Sequence, residues 1–309
     1  MKHSIKITLL LLSLFFLTQL IGLLVINAYS PEYKEVTENG ITKQVPVYNL
    51  PYGVNPPESL TPKESLISLL VSVAFAVCLM LMLMKFRAES LLKFWFFMVV
   101  TFALGITINA FMQPISYAPL LALIIALPIT YFKIIKRNII IHNLSEMLIY
   151  PGIAVILVPL LSLATVSILL IVISLYDMYA VWHAGFMQKM AKYQIQKLRV
   201  FSGFLVPYLG KKERELVQQA RANKNMKSLK NKKIKMSIAL LGGGDVVFPI
   251  ITAGVIFNLW GLIPALMVTA GATLALALLF YFSEKGKFYP AMPFIAAGCF
   301  VGLAVGALL

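Results

Sequence analysis

Nine apolar runs succeed one another along the chain, near 5–28, 66–84, 91–112, 118–132, 139–158, 161–183, 236–257, 260–282 and 290–308. A hydrocarbon core of about 30 Å takes about 20 apolar residues to cross as a helix, so the pattern predicts an all-α polytopic membrane protein with nine transmembrane helices. Hydropathy barely separates the fifth run from the sixth. A continuous helix over 139–183 would be about 67 Å long, roughly twice the core, and a turn is therefore expected near Pro159. The first run follows Lys2 and Lys6, as a signal peptide would. It is too long for a signal h-region, and Ile26-Asn27-Ala28 is a poor cleavage site, so it is read as the first helix.

Two polar stretches interrupt this pattern. Residues 29–65, with several Pro, Tyr and Glu, are expected to form an irregular external loop. Residues 184–235 begin with Phe186, Met187, Met190, Tyr193 and Leu198 interleaved with Lys189, Lys192, Lys197 and Arg199, which suits a helix lying on an anionic inner leaflet. A short strand-like segment, Phe204 to Leu209, and a basic tract follow. The chain thus divides into a six-helix unit (1–183), a basic cytoplasmic loop (184–235) and a three-helix unit (236–309).

Composition and charge sharpen the picture. Of the residues, 60% are hydrophobic and 13% charged, and the formal net charge is +15. Such a balance departs far from a soluble globule and fits a multi-pass protein of the cell membrane. The basic residues lie in loops between apolar runs and not on one folded polar face, which excludes a nucleic-acid partner. With nine helices, 24 of the 27 Lys and Arg fall on one side; the positive-inside rule then puts the N-terminus inside and the C-terminus outside. Merging the fifth and sixth helices would send the most basic loop outside, a second reason for the turn. Cys78 and Cys299 stand far apart within apolar runs, with no companions at metal-ligand spacing; no disulfide, metal or cofactor is expected.

The chemistry rests on aspartate. The chain has only two, Asp177 and Asp245, and each lies within a predicted membrane helix. A carboxyl at the membrane centre costs about 2.5–3.5 kcal/mol on insertion scales, so such residues usually serve function or pairing. Counting 1.5 Å per residue, Asp177 falls about 9 Å before the cytoplasmic end of helix 6, and Asp245 about 14 Å into helix 7. Two neighbouring carboxyls cannot both ionise cheaply, so one keeps a proton. That is the arrangement with which aspartic proteases activate water and polarise a peptide carbonyl.

The flanking residues resemble one family. Tyr176-Asp177 is similar to the YD motif, and Gly242-Gly243-Gly244-Asp245 to the GxGD motif, of the presenilin and signal peptide peptidase family of intramembrane aspartyl proteases. That family's PAL motif opens its ninth helix. Pro264-Ala265-Leu266 matches literally but opens helix 8, on the side opposite the aspartates; Pro290-Ala291-Met292-Pro293 opens helix 9 from the cytoplasmic side and is the better counterpart, with Met292 replacing Leu. The resemblance covers roughly 140–309 and departs from the family at Gly243, where a larger apolar residue is usual. It implies hydrolysis of single-span membrane proteins or signal-peptide remnants within the lipid bilayer, with Asp177 and Asp245 catalytic and Tyr176, Gly242, Gly243, Gly244, Pro290, Ala291 and Met292 positioning substrate. A prepilin or preflagellin leader peptidase shares GxGD but lacks the PAL element. A proton or ion pathway would also place carboxyls in the membrane, though the inverted repeats typical of transporters are absent from the sequence.

Other features carry expectations of their own. The three glycines loosen the start of helix 7 and permit close backbone approach. Tyr176 suits either a bond near the dyad or ordinary packing. Asn143-Leu144-Ser145-Glu146 reads as a capping arrangement at the start of helix 5, with His142 and Glu146 as an i, i+4 pair. Gly298, Gly302 and Gly306 suit close helix packing or a homo-oligomer. A helical substrate must be unwound before attack, and the segments Phe204–Leu209 and Pro290–Pro293 are candidate edges for receiving it as a strand.

Overall fold

The computed structural model describes residues 5–38, 41–56, 62–86, 88–184, 201–209, 236–284 and 289–309. Among these are nine α-helices: α1 (Ile5–Ala28), α2 (Pro62–Lys85), α3 (Glu89–Met112), α4 (Ala118–Tyr131), α5 (Ile139–Leu157), α6 (Leu163–Tyr179), α7 (Gly243–Trp260), α8 (Leu262–Phe282) and α9 (Met292–Gly306). Eight are long and apolar enough to cross a membrane, and α9 is shorter. The expected amphipathic segment after residue 184 and the basic tract lie outside the described residues.

The break between α5 and α6 falls where length alone required it. A 3-10 turn, Val158–Leu160, contains Pro159, and Ser162 then caps α6 through reciprocal bonds with Thr165. The 3-10 turn ends α5, with the Leu161 N–H bonding Val158 O, and the cap pairs the Thr165 N–H in the first turn of α6.

Two expectations are corrected. Within 29–65 the chain forms an antiparallel hairpin, β1 (Glu32–Glu38) with β2 (Ile41–Val47), paired from Glu32↔Val47 to Glu38↔Ile41. Val36, Thr37, Thr42, Val45 and Val47 are β-branched residues, and that local preference prevails over the Pro and Glu content that suggested an irregular loop. Second, residues 236–242 do not begin a helix. Met236–Gly242 is a strand, β4, paired antiparallel with β3 (Gly203–Leu209) from Gly203↔Gly242 to Leu209↔Met236. A short apolar run reads equally well as strand or helix. Here Ala239 and Leu241 are buried while Ile238 and Leu240 are half exposed, an alternation of period two. Asp245 consequently sits in the first turn of α7, not several turns inside it.

The core gathers around α7. Val246, Ile250, Ile251, Ala253 and Ile256 are fully or almost fully buried, against α1, α5 and α8. The Gln19 side chain of α1 donates to Val246 O at 3.0 Å, which fixes the level of α7. Helices α8 and α9 pack backbone to backbone. A Cβ on Gly298 would stand 2.4 Å from Gly271 O, and one on Gly302 would stand 2.3 Å from Met267 O. The small-residue stripe is therefore occupied by packing inside this chain.

The capping arrangement expected near Asn143 is a further correction. Asn138 is the N-cap of α5, accepting the N–H groups of Ile140 and Ile141. Asn143 instead bonds Leu205 of β3, and Glu146 pairs with the buried Lys133 of the π-helical extension of α4, Phe132–Lys136. Helix starts are chosen by whichever side chain reaches the free N–H groups, and Asn138 stands at the right place.

Candidate active site

Each aspartate is held by the beginning of a helix. Asp177, in the last turn of α6, is 7% exposed. Its Oδ2 accepts the Met292 N–H at 3.1 Å, and the Ala291 N–H also bonds the carboxylate. These donors exist because α9 starts at Met292, and the first N–H groups of a helix have no partner within it. The positive end of the helix dipole adds to their attraction for a carboxylate. Pro290 and Pro293 bracket this start and neither offers an N–H; the groups that reach Asp177 are those of Ala291 and Met292.

Asp245 stands at the third position of α7, whose N-cap is Gly242. Its carboxylate accepts the Gly242 N–H, the side-chain-to-N-cap half of a capping box. Space is tight there: a Cβ on Gly242 would lie 3.1 Å from Asp245 Oδ2. Asp245 also lies within electrostatic reach of Asp177. The two carboxyls thus share one locality, formed where α6, α7 and α9 meet.

The remaining sequence candidates divide. Gly243 has a specific reason to lack a side chain: a Cβ would stand 2.8 Å from both the Tyr150 hydroxyl and Ser202 Oγ. Tyr150 is 2% exposed and stacks edge-on against Phe204, with ring centroids 6.1 Å apart. In this chain Tyr150 fills the volume that a larger residue at Gly243 would take. We expect Gly243→Ala to destabilise the fold by about 1–3 kcal/mol through overpacking, and Tyr150→Phe to restore part of that loss. Thermal unfolding of the single and double variants checks this; strict additivity would show that the two residues do not compete for space.

Tyr176, beside Asp177 on α6, is 51% exposed. Gly244 faces outward near the Phe248 ring. The literal Pro264-Ala265-Leu266 triplet opens α8 and meets the far end of α9, where a Cβ on Gly306 would approach Pro264 Cα to 2.9 Å. Gly306 stands fourteen positions after Met292 on α9, about 21 Å at helical rise. Pro290→Ala should therefore lower the cleavage rate by about 10–100-fold by loosening the donors to Asp177, while Pro264→Ala should leave it within about threefold. Initial rates on one substrate would decide, and equal sensitivity would remove any special role for the Pro290 turn.

Sequence reading singled out the His142 and Glu146 pair but missed Tyr150 on the same face and Lys133 as the partner of Glu146. His142, Glu146 and Tyr150 recur every four residues on α5, a stripe that puts them on one helix face. Among the described residues no group of His, Cys, Asp or Glu is arranged to hold a metal ion.

Comparison with known proteins bears on this geometry. A family model described as signal-peptide peptidase, presenilin aspartyl protease matches residues 53–309. Among solved structures the fold is similar to a presenilin family intramembrane aspartate protease in two crystal forms. The C222 form has a TM-score of 0.60 and 20% identity over 97% of this chain and 98% of the other. The P2 form gives 0.58 and 19% over 96% of each. No curated protein matches the sequence.

Proposed function

Since the chain belongs to the signal-peptide peptidase and presenilin aspartyl protease family, and is thus an intramembrane aspartyl protease of multi-pass membrane topology, we propose that Asp177 and Asp245 are its catalytic pair. The observation that carries this reading is that the only two aspartates in the chain meet in one locality, each held by backbone N–H groups at a helix start.

One carboxyl is ionised and the other protonated. The ionised carboxylate takes a proton from water as the water oxygen attacks the scissile carbonyl carbon. The protonated carboxyl donates its proton to the carbonyl oxygen, giving a neutral gem-diol. Collapse returns a proton from one hydroxyl to a carboxylate while the other carboxyl protonates the leaving nitrogen, and the C–N bond breaks. Water is consumed, an acid and an amine are released, and the pair regains its single shared proton.

Substrates are membrane-embedded, and we propose single-span helices or signal-peptide remnants. Their amides are shielded by i to i+4 bonds until unwound, and unwound amides in lipid cost several kcal/mol each unless the enzyme pairs them. Two candidate edges were expected from the sequence, Pro290–Pro293 and Phe204–Leu209, and the structure adds a third, β4. The Ala291 and Met292 N–H groups already serve Asp177. The outer edge of β3 is occupied by Asn143, whose side chain accepts the Leu205 N–H at 2.9 Å and donates to Leu205 O at 2.8 Å.

Among the described residues, the outer edge of β4 carries no such contact. In an antiparallel pair, residues alternate between facing their partner and facing away. Leu205 faces away from β4, so its partner Leu240 faces away from β3, and Ile238 opposite Pro207 does likewise. Gly242, opposite Gly203, shares this parity, and its N–H reaches Asp245. A strand added to β4 would lie on the edge that leads to Asp245. The test is cleavage of a single-span substrate by the purified protein, wild type against each aspartate variant, read by mass spectrometry of the fragments.

A further inference from the structure

The polar residues of α5 meet β3 in a way that bears on how a substrate strand is placed. Asn143 makes a two-point contact with Leu205, accepting its N–H and donating to its C=O, which is what a neighbouring strand would do. One residue earlier on α5, His142 Nε2 lies 2.8 Å from Gly203 O. A carbonyl oxygen only accepts, so Nε2 carries the proton and Nδ1 presents a lone pair. That lone pair faces Lys133 Nζ at 3.4 Å. Lys133 in turn pairs with Glu146, both side chains being 1% exposed.

The contacts run in one direction. The Lys133–Glu146 pair holds the ammonium, the ammonium fixes the His142 ring and its tautomer, and the ring and the neighbouring carboxamide occupy the backbone groups of Gly203 and Leu205. Those are the groups of β3 that point away from β4. A buried ion pair is weak evidence for stability but a well-attested means of fixing register.

We infer that Asn143 and His142, braced by Lys133 and Glu146, guard the outer edge of β3, so that an unwound substrate segment pairs with β4 alone and in one register relative to Asp245. The inference rests on the proposed use of β4 as the receiving edge. The four are positioning residues. They touch neither the aspartates nor the reacting bond in this arrangement, and they act through the hairpin. Without the guard, β3 presents a second set of unpaired amides, and an extended segment gains a competing place to bind. The signature of its loss is therefore scattered cleavage positions and a raised KM, with the chemical step intact.

The experiment uses the full chain in lipid vesicles with one single-span substrate and one short extended peptide, recording cleavage positions, KM and kcat. Asn143→Leu and His142→Leu should each turn a dominant cleavage site into several and raise KM for the helical substrate. The kcat on the extended peptide should stay within about threefold. His142→Gln, whose amide nitrogen can replace Nε2 as donor to Gly203 O, should restore the single site. If Asn143→Leu fails to accumulate, Asn143→Asp carries the same comparison, since it keeps the acceptor for Leu205 N–H and loses the donor to Leu205 O. An unchanged site pattern, with kcat lowered alike on both substrates, would overturn the guard and leave these residues with a structural role only. Failure of the β4 reading shows elsewhere, as undiminished cleavage of the helical substrate by Leu240→Pro, and the two failures are thereby told apart.

Discussion

Asn in place of either Asp177 or Asp245 is expected to lower peptide-bond hydrolysis by at least about 10³-fold, or about 4 kcal/mol of barrier, because each carboxyl would be half of one acid–base device. Asn is the better replacement at Asp177. Its side-chain oxygen can still accept from Met292 N–H, so the start of α9 stays satisfied and the loss reports on proton transfer. Ala would leave two buried donors unpaired, at about 1–3 kcal/mol each, and would mix folding with chemistry. Fragment yield from a single-span substrate in vesicles measures the effect, with thermal unfolding as the control for fold. Retained cleavage in either Asn variant would refute the shared pair.

The second large effect is expected at Leu240, and it separates unwinding from hydrolysis. Leu240→Pro removes an N–H that points to the free edge of β4 while sparing the bonds to β3, since the Leu205↔Leu240 pair does not exchange hydrogen bonds. Pro is tolerated on such an edge, as Pro207 on β3 illustrates. Cleavage of a stable helical substrate should fall by about 10–100-fold, the loss of one backbone pairing in lipid, while a short extended peptide is affected within about threefold. Ala239→Pro is the contrasting variant. Its N–H faces Val206 by the same alternation, so the hairpin itself is lost and both substrates suffer. Equal effects of Leu240→Pro on both substrates, with the hairpin intact, would remove β4 as the receiving edge.

The division between what was legible in advance and what was not follows the range of the interactions. Helix number could be counted because a bilayer fixes the length of an apolar run, and the break at Pro159 followed from arithmetic on that length. The two aspartates stood out because a carboxyl in hydrocarbon is costly enough to need a reason. Preferring Pro290-Ala291-Met292 over the literal Pro264-Ala265-Leu266 rested on the direction expected of each helix through the membrane, and the Met292 N–H is the group that meets Asp177.

Strand β4 was not legible, since Met236–Gly242 is as apolar as a helix start and becomes a strand only through its partner β3. Nor was the environment of Gly243, which is decided by Tyr150, distant in sequence and brought close by packing. Asn143 looked like a cap and proved to be a contact to β3. The sequence by itself determined the solvent, the helix count and the identity of the two carboxyls, because burial in lipid acts on each residue wherever it stands in the chain. Only the tertiary structure decided which backbone groups hold those carboxyls and which side chain occupies the edge of β3, because hydrogen bonds form pairwise and the partners lie 62 residues apart for Asn143 and Leu205 and 115 apart for Asp177 and Met292.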